Sequence, residues 1–495
     1  MVRFVTTPRP ALSAVVVGAG FGGIAAAVEL RRRGVDRIVV LEKADRAGGV
    51  WRDNTYPGAA CDVPSSLYSY SFAPHATWPR RYAEQPDILA YIDSVVAEQH
   101  LDDVVVTGTE VTEARFDETS GRWQVRTTQR GAAGPSYDVD VLVTAVGQLS
   151  RPAIPDLPGL DSFAGPAFHS AEWDHDLDLA GKRVAVVGTG ASAIQFVPHL
   201  QQQAGHVNVF QRSAPYVVPK PDRAYTRLHH RAFTEVPATQ GFGRELTRSL
   251  SESLNGALAE QTALTKALMT AFRVHLRHQV KDPALRAKLV PDYPIGCKRL
   301  LFSNDWYPAL TQPNVSVVTE GVTAVTERGL VTADGHEHRA DVIVYGTGFK
   351  ATEFLAPMTV TGRNGVDLHE QWLDGARAYL GITVPGFPNL FVMYGPNTNL
   401  GGSSILQMLE GQSGYLGQAV SMLADGDLDV VEIRQEVADR YDKEMQERLG
   451  DSVWASGCSS WYQTTGGRIT TNWPGLVKEY RERTATFEPA DYLTR

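Results

Sequence analysis

Two copies of one strand–turn–helix–strand pattern predict an α/β fold with two doubly wound, parallel-sheet units. The first observation is a pair of valine-rich runs, at 14–17 and 184–187, the composition of strands buried on both faces. The second is the glycine-rich turn directly after each run, Gly18-x-Gly20-x-x-Gly23 and Gly188-x-Gly190-x-x-Ala193. The third is the sequel: a helix-forming segment, then another apolar strand at 37–41 in one copy and 206–210 in the other. In the first copy the helical segment 24–33 is alanine-rich and stops at Gly34, which can take the left-handed turn that ends helices.

A glycine turn between a strand and a helix is a Rossmann-like, dinucleotide-binding pattern. The first glycine allows the tight turn, the second admits a pyrophosphate, and the third lets helix and strand pack closely, with the helix N-terminus stabilising the phosphate. The strand at 37–41 ends in Glu42, where a carboxylate accepts hydrogen bonds from ribose hydroxyls. At the same offset the second copy has Arg212 and Ser213. An acid there would repel a 2′-phosphate, whereas arginine can bind one bidentately. Gly18, Gly20, Gly23 and Glu42 are therefore expected to hold a dinucleotide without a 2′-phosphate. Gly188, Gly190, Ser192, Arg212 and Ser213 are expected to prefer NADP over NAD. Two such sites in one chain point to a redox enzyme. FAD in the first and NADPH in the second is the economical assignment, because two nicotinamides would have little to exchange.

At 495 residues the chain is about three domain lengths. Its 43% hydrophobic and 21% charged residues are those of a globular protein, and a net charge of −9 argues against nucleic acid as a partner. No run approaches the ~18 apolar residues that span a bilayer, so no membrane partner is expected. Three widely spaced cysteines without a CxxC pair fit neither a disulfide scaffold nor a structural zinc site, and predict a reducing, cytoplasmic setting. Apolar strands return at 141–147 and 341–348, ending in small residues where the backbone can pass close to a cofactor. The expected organisation is a first part of the FAD domain at 1–150, then a linker and first part of the NADP domain at 151–224. A helical insertion at 225–288, the rest of the NADP domain at 289–380, and the rest of the FAD domain with a substrate-pocket tail at 381–495 follow. Leucines at 246, 250, 254, 258, 264, 268 and 276 form the insertion's ridge, read first as core packing and second as the edge of a substrate entrance.

Three further segments resemble the type I Baeyer–Villiger monooxygenases, a branch of the class B flavoprotein monooxygenases. Phe163-x-Gly165-x-x-x-His169-x-x-x-Trp173-Asp174 is similar to that family's fingerprint at every fixed position. Heteroatom-oxidising relatives usually end this motif in Tyr or Phe with Lys. Gly48-Gly49-Val50-Trp51-x4-Tyr56-Pro57-Gly58-x3-Asp62 is similar to the second signature, and Gly296-Cys297-Lys298-Arg299 to the third segment. Residues 389–399 resemble the strand and helix entry that close the FAD domain. Trp461, Tyr462 and 472–474 resemble a tail bordering the substrate cavity.

The resemblance implies an NADPH- and FAD-dependent enzyme that inserts one oxygen atom of O2 beside a ketone carbonyl through a C4a-peroxyflavin, giving an ester or lactone. It implies that Arg299 is the active-site arginine over the flavin, that Asp62 orients it, and that Lys298 helps hold the 2′-phosphate. Gly49, Trp51, Tyr68, Val111 and Asn397 join the expected cofactor set, with core packing the competing reading for Trp51 and Tyr68. His169 is expected to organise the linker. Cys61 has no redox partner nearby, so disulfide reduction does not fit. Two alternatives stay open: oxygenation of nitrogen or sulfur by a flavin-containing monooxygenase, and a nucleotide-bound redox sensor without turnover.

Overall fold

A computed structural model describes residues 12–260, 263–457 and 462–493. Its organising feature is a pair of five-stranded parallel sheets. The first runs Leu390–Val392, Val141–Thr144, Ser13–Val17, Arg37–Leu41, Val105–Val106. The second runs Val315–Val318, His206–Phe210, Arg183–Val187, Val342–Tyr345, Ala167–His169. Each glycine-turn strand is the middle strand of its sheet. Val15, Val16, Val184 and Val186 are fully buried, and each such side chain contributes roughly 1.5–3 kcal/mol on leaving water.

Helix Phe21–Arg32 lies between the first sheet and the long helix Ile405–Asp425. Small residues on both sides permit the close approach. Ala25, Ala26 and Ala27 are buried, and a Cβ at Gly417 would come within 2.4 Å of Glu29 Oε1. Two further sheets are built on antiparallel pairs, Thr109–Asp117 with Arg122–Gln129 and Val322–Thr326 with Gly329–Thr332, and Thr359–Thr361 joins the first of them in parallel.

Within the stretch 151–224, Ala167–His169 is an edge strand of the second sheet, with His169 beside Tyr345. Two sequence expectations need amendment. The insertion forms helices Arg227–Glu235, Pro237–Glu260, Ala263–Gln279 and Pro283–Lys288, but only part of its leucine ridge is core. Leu258 and Leu276 are buried, whereas Leu246 and Leu250 are 52% and 59% exposed. The N-terminal half of Pro237–Glu260 docks instead through polar contacts, Arg244 Nη1 donating to the Ser66 and Ser69 carbonyls at 2.7 and 2.9 Å, so its leucines need not face inward. Finally, Cys297 is disulfide-bonded, whereas its spacing predicts a reduced thiol; Cys61 is free and buried. Sequence separation does not limit which thiols a fold brings together. Cys458 and Trp461 lie outside the described residues.

Among the described residues, no helix is long and apolar enough to cross a membrane, and no group of three or more His, Cys, Asp or Glu side chains could hold a metal ion.

Candidate active site

The two glycine turns open into one cavity of about 1120 Å³, larger than the roughly 300–1,000 Å³ of a single small-molecule pocket. The glycines are required by shape. Gly18 has φ +99°, and a Cβ there would lie 2.7 Å from the Ala145 carbonyl oxygen; a Cβ at Gly23 would collide with the Gly18 oxygen at 1.8 Å. Gly188 repeats the arrangement against Gly346, with φ +107° and 2.4 Å. Neither helix N-terminus has a side-chain cap, at Gly20 or at Ser192. The free N–H groups of the first turns are left for an anion.

Glu42 is buried and does more than the sequence suggests. Its Oε2 accepts from Ala19 N at 2.9 Å, and its Oε1 accepts from Ala44 N at 3.0 Å and pairs with Arg52 at 2.9 Å. It thus fixes the glycine turn while still lining the cavity. Arg52 was not singled out by the sequence, because nothing in its spacing marks it as a partner for an acid ten residues earlier.

At the second turn, the residues expected to read a 2′-phosphate converge. Lys298 Nζ donates to Ser213 Oγ at 2.8 Å and stands over the Tyr293 ring at 4.5 Å. Burial, and then the nearby charge of Arg212, lower the Lys298 pKa. Both cations line the same corner of the cavity, where an anion would be favoured. Arg212 itself is exposed at the cavity edge.

Between the turns lies a bidentate pair. Arg299 Nε and Nη2 donate to Asp62 Oδ2 and Oδ1 at 2.7 and 2.9 Å, and Nη1 reaches the Leu400 carbonyl at 3.4 Å. Both side chains keep about a quarter of their surface exposed, 26% and 27%, and both line the cavity. The Asp62 charge pushes the Arg299 pKa further up. Burial works against the Asp62 carboxylate, but Arg299 outweighs it and holds that pKa below the usual range. A permanent cation is thereby fixed at the cavity wall.

Trp51 Nε1 donates to the Tyr68 hydroxyl at 3.0 Å, with the rings edge to face at 5.6 Å, and both line the cavity, as does Val111. Asn397 is placed differently. It is buried away from the cavity lining, and its amide donates to the Ile469 and Asn472 carbonyls at 2.9 and 3.1 Å. The sequence pattern missed its neighbours Tyr394 and Asn399, which do line the cavity. Tyr394 has φ +57°, and its hydroxyl donates to Asn399 Oδ1 at 2.8 Å. A tyrosine in left-handed backbone has no sequence signature beyond the adjoining Gly-Pro.

The linker fingerprint sits behind the cavity rather than in it. A Cβ at Gly165 would come within 2.5 Å of the Asp341 oxygen. Phe163 packs on the outer face of the second sheet. His169 is fully buried, its Nδ1 accepting from Ala171 N at 3.2 Å and its ring 5.3 Å from Phe349. Burial lowers its pKa, favouring the neutral ring. Trp173 meets Phe196 at 5.3 Å, and Phe196 meets Tyr56 at 5.8 Å, so an aromatic row joins the fingerprint to the segment carrying Asp62.

Comparison with known proteins gives the family. A family model described as "Pyridine nucleotide-disulphide oxidoreductase" matches residues 15–230. A Baeyer–Villiger monooxygenase of Pseudomonas aeruginosa is 41% identical, over 98% of this chain and 93% of its own. One from Streptomyces coelicolor is 44% identical, over 96% and 91%. Among solved structures, an oxidised steroid monooxygenase bound to NADP superposes with a TM-score of 0.85 at 32% identity, over 96% of this chain and 97% of its own. A closed cyclohexanone monooxygenase gives 0.86 at 28%, over 98% and 99%. Identity of this extent across nearly the whole length of both curated relatives shows that the chain belongs to the Baeyer–Villiger monooxygenase family.

Proposed function

We propose that this enzyme binds FAD at the Gly18 turn and NADP(H) at the Gly188 turn and inserts one oxygen atom of O2 beside a ketone carbonyl. The overall reaction is ketone, O2, NADPH and a proton giving ester or lactone, water and NADP⁺. The observation that carries this reading is the Arg299–Asp62 pair facing a cavity shared by both glycine turns. The chain fits both cofactors: the turns close so tightly on their own backbone that Gly18, Gly23 and Gly188 admit no Cβ, Gly20 and Gly190 present bare backbone to the cavity, and the uncapped helix starts offer N–H donors to pyrophosphate. Arg212, Ser213 and Lys298 would hold the 2′-phosphate, while Gly49, Trp51, Tyr68 and Val111 would border the flavin. FAD, when bound and reduced by NADPH, supplies the electrons that activate O2.

The protein's own part is electrostatic and steric. Negative charge develops on oxygen as a ketone carbonyl is attacked. A guanidinium already held in place stabilises that charge without having to reorganise. Arginine suits the position because it stays protonated at any working pH. Asp62 fixes the plane of the guanidinium through two hydrogen bonds. Trp51, Tyr68, Tyr394 and Leu400 form a wall that limits water around the reacting atoms, where stray protons and water divert activated oxygen to hydrogen peroxide.

The direct test is turnover of a ketone panel (cyclic, aryl, long-chain and steroid), beside an amine and a thioether, with NADPH under ¹⁸O2, with products read by mass spectrometry. An ester or lactone carrying one ¹⁸O, formed at one NADPH per product, supports the reading. Oxidation of amines or thioethers without any ketone product replaces it with heteroatom oxygenation, and no NADPH consumption in air leaves only a nucleotide-bound sensor.

A further inference from the structure

We infer that Asn255, in the helical insertion, is a positioning residue for Arg299. The inference rests on the proposed role of Arg299. Asn255 lies on helix Pro237–Glu260 and is 2% exposed. Its Oδ1 accepts from Gly402 N at 3.1 Å, and its Nδ2 donates to the Gly475 carbonyl at 3.3 Å. One side chain therefore ties the insertion to two separate stretches of the first unit. One turn earlier, Glu252 Oε2 accepts from Val477 N at 3.2 Å, at the start of helix Val477–Arg483. A Cβ at Gly256 would touch Leu476 at 3.5 Å. The same helix face thus meets the tail at three successive points.

The contact with Gly402 matters because of what stands two residues before it. Leu400 presents its carbonyl to Arg299 Nη1 at 3.4 Å, and Leu400 and Ser403 line the cavity. Between them stand Gly401 and Gly402, the residue type that loses most conformational freedom on being fixed. Before the glycines the loop is anchored to the tail: Asn399 N donates to the Thr471 carbonyl and Trp473 N to the Asn399 carbonyl, each at 2.8 Å. Beyond Leu400 the anchor is Asn255. A Cβ at Gly401 would lie 3.3 Å from Asn255 Oδ1 and 3.4 Å from Trp454, so this stretch already packs against the amide. Releasing the Gly402 end lets the Leu400 carbonyl swing away from the third N–H direction of Arg299 and opens the cavity wall beside it. Asn255 touches neither arginine nor cofactor site; it acts through the backbone of 400–402.

The test compares Asn255→Leu, similar in size but unable to accept or donate, and Asn255→Ala with wild type, all as full-length holoenzyme. The first readout is hydrogen–deuterium exchange of peptides covering 399–404 and, as a fold control, 13–17. The proposal expects exchange at 399–404 to rise at least tenfold with 13–17 unchanged. The second readout is hydrogen peroxide released per NADPH consumed in air in the presence of a ketone that the wild type oxygenates, set against the anaerobic rate of flavin reduction by NADPH. The peroxide yield is expected to rise at least threefold with the reduction rate within twofold of wild type, a split that general destabilisation would not produce. Asn255→Ala stands in if the leucine variant folds poorly. Unchanged exchange at 399–404 in a folded variant, or a peroxide yield within 1.5-fold of wild type, overturns the proposal. If the wild type oxygenates no ketone, the function proposed above falls, while the exchange result still decides whether Asn255 anchors the loop.

Discussion

Gln195, on a helix of the second unit, accepts a hydrogen bond from the Tyr56 hydroxyl of the first unit at 3.0 Å and donates to the Ala60 carbonyl at 2.9 Å. Between these two contacts sits Gly58, with φ +79° and space for no Cβ: it would lie 2.5 Å from His199 Nε2 and 2.9 Å from the Gln195 oxygen. The two nucleotide units thus meet through a glycine. Gly58→Ala is expected to cost about 2–3 kcal/mol, from left-handed strain and overpacking together, read as a lower urea midpoint. Adding His199→Ala should restore only part of the loss, because the second clash is with backbone.

Replacing Arg299 should abolish product while sparing the flavin site. Arg299→Ala is expected to lower ester or lactone formation at least a hundredfold, the effect of removing a donor to a developing oxyanion. The flavin-to-protein absorbance ratio should stay within a fifth of wild type. Arg299→Lys should rescue little, since a single ammonium cannot hold both oxygens of Asp62. Product formation within tenfold of wild type in Arg299→Ala would remove the role assigned to this side chain.

Coenzyme choice should follow the corner formed by Arg212, Ser213 and Lys298. Arg212→Glu is expected to raise KM for NADPH by roughly ten- to a hundredfold, the loss of one charge-assisted pair plus repulsion. KM for NADH should change much less. Steady-state kinetics with both coenzymes gives the ratio. An equal effect on the two would mean that Arg212 does not meet the 2′-phosphate.

Stability should fall on the acid side of neutrality. Burial depresses the pKa of His169, and also those of His75 and His275. A histidine whose folded pKa lies below its unfolded value of about 6.5 binds more protons when unfolded. Its contribution is complete above pH ~7 and is lost as pH falls toward the folded pKa. Thermal melts between pH 8 and pH 5 should therefore show a declining midpoint, and His169→Gln should flatten the decline. A midpoint constant down to pH 5 would contradict the burial of these rings.

What could be read in the sequence was whatever depends on local pattern. Val184–Val187 reads as a buried strand because neighbouring residues alone set its hydrophobic run, and Gly18, Gly20 and Gly23 announce their turn because only glycine tolerates its backbone. The pairing of Asp62 with Arg299 came from family motifs and not from spacing, since 237 residues separate them. Nothing local distinguishes Asn255, an amide in a helix, from any other, or Tyr394 from a core tyrosine. The leucine ridge misled in part, because periodicity reports that a helix has an apolar stripe and cannot say how much of that stripe another element covers.

The sequence by itself determined the two glycine turns, the strands that carry them and the opposite charges at Glu42 and Arg212, each a consequence of residues within about thirty positions. Only the tertiary structure decided that Ala167–His169 joins the second sheet, that Asn397 turns its amide to the tail while Tyr394 faces the cavity, and that the insertion reaches the active-site loop through Asn255. Those outcomes depend on contacts between segments far apart in the chain. Hydrogen-bond complementarity and excluded volume choose among many partners that local sequence leaves equivalent.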